Sequence, residues 1–168
     1  PKLDFYCELK IDGLAIELVY KNGILETGST RGDGTIGEDI TQNLKTINAI
    51  PLQLRGKNLP KLLEVRGEAV MAKKTLLSLN KKYEKLGKPL LANTRNSAAG
   101  SLRQLDPALA SERNLDFFAY DIAQIITSDK EQVTSHSKEH ELLRQFGFKV
   151  DKHEAVCKNI EQVIEFVK

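Results

Sequence analysis

Lys21-Asn22-Gly23 constrains this chain more than any other short stretch. Asn and Gly tolerate the positive φ that a tight hairpin turn demands and most residues resist. Residues 14–20 before the turn and 24–31 after it are rich in β-branched and aromatic side chains. An antiparallel hairpin near the N-terminus is therefore expected, and a strict βαβ order is not. Residues 5–10 alternate between two faces and predict another strand, as do residues 62–70 and the apolar stretch 115–122. Helical spacing marks residues 73–86, 136–146 and 159–167. Shorter helices are expected at 38–47 and at 97–105, before Pro107, and a short strand at 148–150. Hairpins first and helices later make the class α+β, with mainly antiparallel sheets flanked by helices.

A chain of 168 residues suffices for one domain with its own core. The tail after Thr127 is more polar and is expected to be a small peripheral element, not a second domain. Lys and Arg exceed Asp and Glu by 25 to 23, a net charge of +2, so bulk charge alone does not make this a nucleic-acid binder. Cys7 and Cys157 are far apart in sequence, without a CxxC pattern, which disfavours a structural zinc site and a disulfide framework and suits a reducing, cytoplasmic setting. No apolar run approaches the roughly 20 residues of a membrane span, and no secretory leader is evident. The chain starts at Pro1 in near-strand sequence and stops at Lys168 within a helical pattern, so it is expected to be a piece of a longer protein.

Alternate strand residues share a face. Glu8, Lys10 and Asp12 then point one way, Thr27, Ser29 and Arg31 form a second polar row, and Glu64, Arg66 and Glu68 a third. One reading is a solvated sheet face whose exposed charge pairs contribute about 0–1 kcal/mol each. The other is a polar cleft, favoured because all three rows adjoin glycine-rich turns. Lys10 is the informative member. A tuned lysine amine can attack phosphorus to give a phosphoramidate, or a carbonyl to give a Schiff base, and nothing here suggests a small carbonyl substrate. Asp12-Gly13 turns the chain beside it, so backbone can approach a ligand closely. The loop 32–37 matches neither common phosphate-binding glycine pattern, and a tight lead into the next helix is the favoured reading. His136, His140 and His153 read as surface residues of the polar tail, without a metal site. Asp116 and Asp121 read as strand ends, and Lys81, Lys82 and Lys85 as a solvated helix face.

Further motifs follow in order. Lys10-Ile11-Asp12-Gly13 resembles the KxDG motif of covalent nucleotidyltransferases, the superfamily of DNA ligases, RNA ligases and capping enzymes. Thr30-Arg31-Gly32-Asp33-Gly34, Gly37-Glu38-Asp39-Ile40-Thr41, Leu63-Glu64-Val65-Arg66-Gly67-Glu68, Ala92-Asn93-Thr94-Arg95-Asn96 and the run from Ala98 to Pro107 are more specific. Together they resemble the adenylation domain of bacterial NAD-dependent DNA ligases, from about Cys7 to Tyr120 and more loosely to the end. The resemblance implies a nucleotidyltransferase (ATP-grasp-like ligase) fold over residues 1–168, truncated at both ends. It implies that Lys10 takes AMP from NAD, passes it to the 5′-phosphate of a DNA nick, and the 3′-hydroxyl seals the strand.

By the same resemblance Glu8 lies beside adenine, Arg31 and Glu68 contact ribose, and Tyr120 stacks on the base. Asp12 supports the chemistry with a magnesium ion, and Arg95 and Arg103 serve phosphate and nick-sealing steps. No zinc is implied within this chain, only in a part of the longer protein. The implied partner is nicked double-stranded DNA, and the implied form a cytoplasmic monomer without membrane attachment. Thr94 stands where the family usually has proline and Ser97 where it usually has alanine, which bears on loop rigidity more than chemistry. A later DGVVxK-like strand and a basic strand are missing, so the isolated chain is expected to be impaired. Two rivals remain: an ATP-dependent covalent nucleotidyltransferase, opposed by the long matches at 37–41 and 92–107, and a non-catalytic nucleic-acid-binding module, opposed by retention of Lys10, Asp12, Arg31 and Glu68.

Overall fold

A computed structural model describes residues 4–32, 37–127, 133 and 135–168. Most of the glycine-rich loop expected at 32–37 lies outside them. The class is α+β, as expected. Strands β1 (Phe5–Glu8), β2 (Leu14–Lys21), β3 (Ile24–Thr30), β4 (Leu62–Val70), β5 (Asp116–Ile126) and β6 (Glu154–Cys157) form two antiparallel sheets. A four-stranded sheet runs β3-β2-β4-β5, and a two-stranded ribbon pairs β1 with β6. The helices are α1 (Thr41–Leu44), α2 (Lys73–Lys85), α3 (Thr94–Leu102), α4 (Pro107–Ser111), α5 (His136–Phe146) and α6 (Ile160–Val167).

The hairpin turn is built as expected. Asn22 and Gly23 have φ of 48° and 79°, the pair of positive values that matches the strands' right-handed twist. One face of the large sheet is dry: Ile16, Leu18 and Tyr20 of β2 lie opposite Gly67, Val65 and Leu63 of β4, with Phe117 and Ala119 beyond. Leu143 of α5 and then Phe146, Phe148 and Val150 complete this core. The Phe148 ring meets Tyr20 edge-on at 5.5 Å. The tail is therefore part of the core, not a peripheral element.

Several boundaries differ from expectation for local reasons. The first strand ends at Glu8, opposite Glu154, so Leu9 onward has no strand to pair with. The short strand expected at 148–150 is absent. That segment gives one ladder-like bond, Ala119 N–H to Lys149 C=O, and the strand pairing falls to Glu154–Cys157 instead. The helix expected over 38–47 shrinks to α1. Asp39 bridges to Ser29, its carboxylate accepts from Thr41 N–H, and Thr30 N–H donates to Glu38 C=O, so residues 38–39 extend the sheet's edge. Helix α3 begins earlier than expected because Asn93 caps it, accepting from Asn96 N–H. Asp106 caps α4, a helix the sequence reading missed, with Pro107 in its first turn.

Candidate functional site

The wet face of the sheet carries Glu64, Arg66 and Glu68 of β4, Ala15 and Glu17 of β2 and Asp121 of β5. Arg66 donates to Glu17 at 3.0 Å and to Asp121 at 3.4 Å. Asp121 is thus a cross-strand partner within β5, not a strand end. A cleft of about 220 Å³ opens on this face, lined by Arg31, Tyr120, Arg66, Glu17, Ser29 and Thr30 among others.

Glu68, on the same face of β4 as Arg66, is only 8% exposed. Its carboxylate accepts from Gly13 N–H at 2.9 Å, and a side chain on Gly13 would collide with Ala69 C=O, so only glycine allows this approach. Burial pushes the Glu68 carboxyl up; the Gly13 bond and the charges of Lys10 and Arg95 pull the other way, and Asp12 adds to the rise. Burial likewise raises the Tyr120 hydroxyl, with Glu68 adding and Arg31 opposing. Lys10, Asp12, Arg31, Glu68, Arg95 and Tyr120 therefore share one electrostatic neighbourhood.

Lys10 and Asp12 sit in the unpaired stretch between β1 and β2, both exposed, so the expected three-residue strand face does not exist. Asp12 meets Arg95 of α3 at 2.7 Å. Arg103, just past α3, is held elsewhere, by Glu38 at 2.7 Å. Tyr120 occupies a β-bulge: Arg66 faces Asp121 and Gly67 faces Ala119, leaving Tyr120 as the extra residue. Bulges release a residue from the ladder and re-aim its side chain, here toward the cleft.

Glu8 points to a different cluster. Its carboxylate lies 3.2 Å from His140 Nε2 and 3.4 Å from His136 Nε2. His140 is buried, not a surface residue, and also reaches Tyr120 C=O at 3.1 Å. Its Nδ1 meets Glu154 at 2.7 Å and the Tyr6 hydroxyl at 2.8 Å. Tyr6 donates to Glu154 at 2.5 Å, and Arg144 donates to the other Glu154 oxygen. Burial pulls the Glu154 carboxyl up, but the bonds from Tyr6, His140 and Arg144 outweigh it and hold it below its ordinary value. Sequence reasoning missed His140 and Glu154. The available signal was His136 and His140 four apart on one helix face, but Glu8 and Tyr6, which meet them, come from the other end of the chain.

Known proteins resemble the whole of this chain. A DNA ligase of Oceanobacillus iheyensis is 53% identical over 165 residues, 98% of this chain. One of Bacillus cytotoxicus is 51% identical over 164 residues, and one of Shouchella clausii 49% over 166. The chain spans about a quarter (24%) of the length of these relatives. The family described as "NAD-dependent DNA ligase adenylation domain" matches residues 1–168, and the chain belongs to that family.

Proposed function

We propose that this chain is the nucleotide-transferring core of an NAD-dependent DNA ligase, one domain of the covalent nucleotidyltransferase (ATP-grasp-like) fold that is completed by further chain. The family match over residues 1–168 is the observation that carries this reading. The gathering of Lys10, Asp12, Arg31 and Tyr120 around buried Glu68 supports it.

In the proposed first step the neutral amine of Lys10 attacks the α-phosphorus of NAD. The N–P bond forms, the P–O bond to nicotinamide mononucleotide breaks and its electron pair leaves with that phosphate, and the exposed amine gives up a proton to water. The adenine lies by Glu8 and stacks on Tyr120, and the ribose meets Arg31 and Glu68. A nick 5′-phosphate then takes AMP from Lys10, guided by Arg95 and Arg103, and the 3′-hydroxyl displaces AMP to close the strand. The exposure of Lys10 suits a nucleophile that must meet both a dinucleotide and a DNA end. Arg103 releases Glu38 to reach phosphate. The exposed carboxylate of Asp12, a hard oxygen donor, fits a magnesium ion, which would supply charge neutralisation at the phosphates. The partner is nicked duplex DNA, met in the cytoplasm by a monomer.

Intact-mass analysis of the full-length protein after incubation with magnesium and either NAD or ATP tests this. An AMP-sized gain with NAD only, absent in Lys10→Ala, is expected. A gain with ATP alone would move the chain to the ATP-dependent class, and an adenylate surviving in Lys10→Ala would remove the nucleophile assignment.

A further inference from the structure

The cluster of Glu8, His136 and His140 has the chemistry of a metal site that the ligation reaction does not require. We propose that it binds one zinc-class divalent cation. The donor set is two imidazole nitrogens and one carboxylate oxygen, with all ligand atoms within 4.8 Å of one another. This combination suits borderline-soft cations such as zinc. Zinc–nitrogen and zinc–oxygen bonds near 2.1 Å put neighbouring corners of a tetrahedron about 3.4 Å apart. Glu8 Oε2 stands 3.4 Å from His136 Nε2 and 3.2 Å from His140 Nε2, close to that edge length.

The outer partners are a second, independent observation. A metal-bound imidazole usually gives its other N–H to a carboxylate, which fixes the ring and strengthens the donor. Both rings are held in this way. His136 Nδ1 meets Glu139 at 2.8 Å, with Asp121 close to the same pair, and His140 Nδ1 meets Glu154 at 2.7 Å. Each ring therefore presents Nε2 to Glu8. His140 is fixed by burial, its side chain 2% exposed, whereas His136 is one-third exposed and leaves an entry path. The ion replaces the proton on His140 Nε2, and Tyr120 C=O, 3.1 Å from that nitrogen, offers a fourth oxygen donor.

Metal on Glu8 removes the carboxylate that the proposed function assigns to adenine. Metal and adenine nucleotide should then exclude each other, a consequence that rests on that assignment, whereas metal binding does not.

Cobalt(II) titrated alone into the full chain tests the site, with visible absorption as readout. One equivalent should give the intense bands of tetrahedral cobalt with nitrogen and oxygen donors, and zinc should bleach them. His136→Ala, at a partly exposed position, should abolish the bands while thermal unfolding stays near that of the parent chain. Glu139→Gln should weaken binding by about 10–100-fold through its hold on His136. Absence of bands in the parent chain, or bands unchanged in His136→Ala, would overturn the proposal. In residues 1–168 alone, a thiolate-to-cobalt charge-transfer band would overturn it too, by placing the ion on a cysteine. If cobalt binds as expected and AMP does not compete, the metal site stands and the adenine role of Glu8 falls.

Discussion

The two sheets are buttressed by opposite means. The four-stranded sheet rests on apolar side chains from β2, β4, β5 and α5. The β1–β6 ribbon is tied to α5 by Tyr6, His140, Arg144 and Glu154, polar groups that satisfy one another. Their two embedded carboxylates show the contrast. Burial dominates at Glu68, which accepts from the Gly13 backbone N–H, and its carboxyl is raised. Hydrogen bonds outweigh burial at Glu154, and its carboxyl is lowered. Lys10 and Asp12 lie on the stretch that joins the two regions. The proposed nucleophile therefore hangs between a mainly apolar support that holds one buried carboxylate, Glu68, and a support built chiefly from titratable groups.

The largest effect should come from breaking the apolar support. Phe117 is fully buried among β2, β4 and Phe148. Phe117→Ala should cost about 3–5 kcal/mol in denaturant unfolding. Both regions should unfold together, because α5 packs on the same core. A loss below about 1 kcal/mol would mean the core collapses around the gap and is not the main support.

The ribbon should fail more locally. Glu154→Ala removes the carboxylate shared by Tyr6, His140 and Arg144 and leaves His140 Nδ1 the Tyr6 hydroxyl and Arg144 the Asp151 C=O, at a cost of about 1–3 kcal/mol. Hydrogen exchange should speed up in β1, β6 and the first turns of α5 more than in β4. Uniform acceleration across both sheets would erase the distinction between them.

Acid should separate the two carboxylates. The folded-state value of Glu154 lies below its ordinary 4.5, so its stabilisation is complete above 4.5 and is lost as pH falls through the lowered value. Glu68 has the opposite sign: its folded-state value is above 4.5, so stability declines as pH rises from 4.5 through the raised value. Glu154→Gln should flatten the acid limb of the stability–pH curve, and Glu68→Gln the limb above 4.5. The same response in both variants would mean that their surroundings do not differ as described.

Local chemistry made the large sheet legible in the sequence. Asn22-Gly23 sets the hairpin, strict alternation marks residues 62–70, and the helix at 136–146 follows from its spacing. The strand at 5–8 was legible but its pairing with β6 was not, because the two strands have four residues each and pair across almost the whole chain. The same separation hid the site's second half. Glu8 could be placed on a strand face from its neighbours, but His140 and Glu154 meet it only through long-range packing. Tyr120 could be singled out by resemblance, whereas the bulge that frees it depends on the register between β4 and β5.

The smallest stability effect belongs to the joining stretch itself. Asp12 and Arg95 form a 2.7 Å ion pair, but their side chains are 70% and 61% exposed. Water and salt screen such a pair, and holding two mobile side chains offsets the attraction. Asp12→Asn should therefore change unfolding by no more than about 0.5 kcal/mol. Neither the apolar core nor the ribbon network includes Asp12, so stability gives little reason for a carboxylate there. Self-adenylation in the full-length protein should nonetheless fall sharply, because the variant removes a negative oxygen donor two residues from Lys10. Gel analysis of the adenylated protein beside a melting curve reads both quantities from one sample. Normal adenylation with an unchanged melt would make Asp12 a bystander. A large drop in melting temperature would make the joining stretch a structural tie between the sheets, not a segment free to serve chemistry.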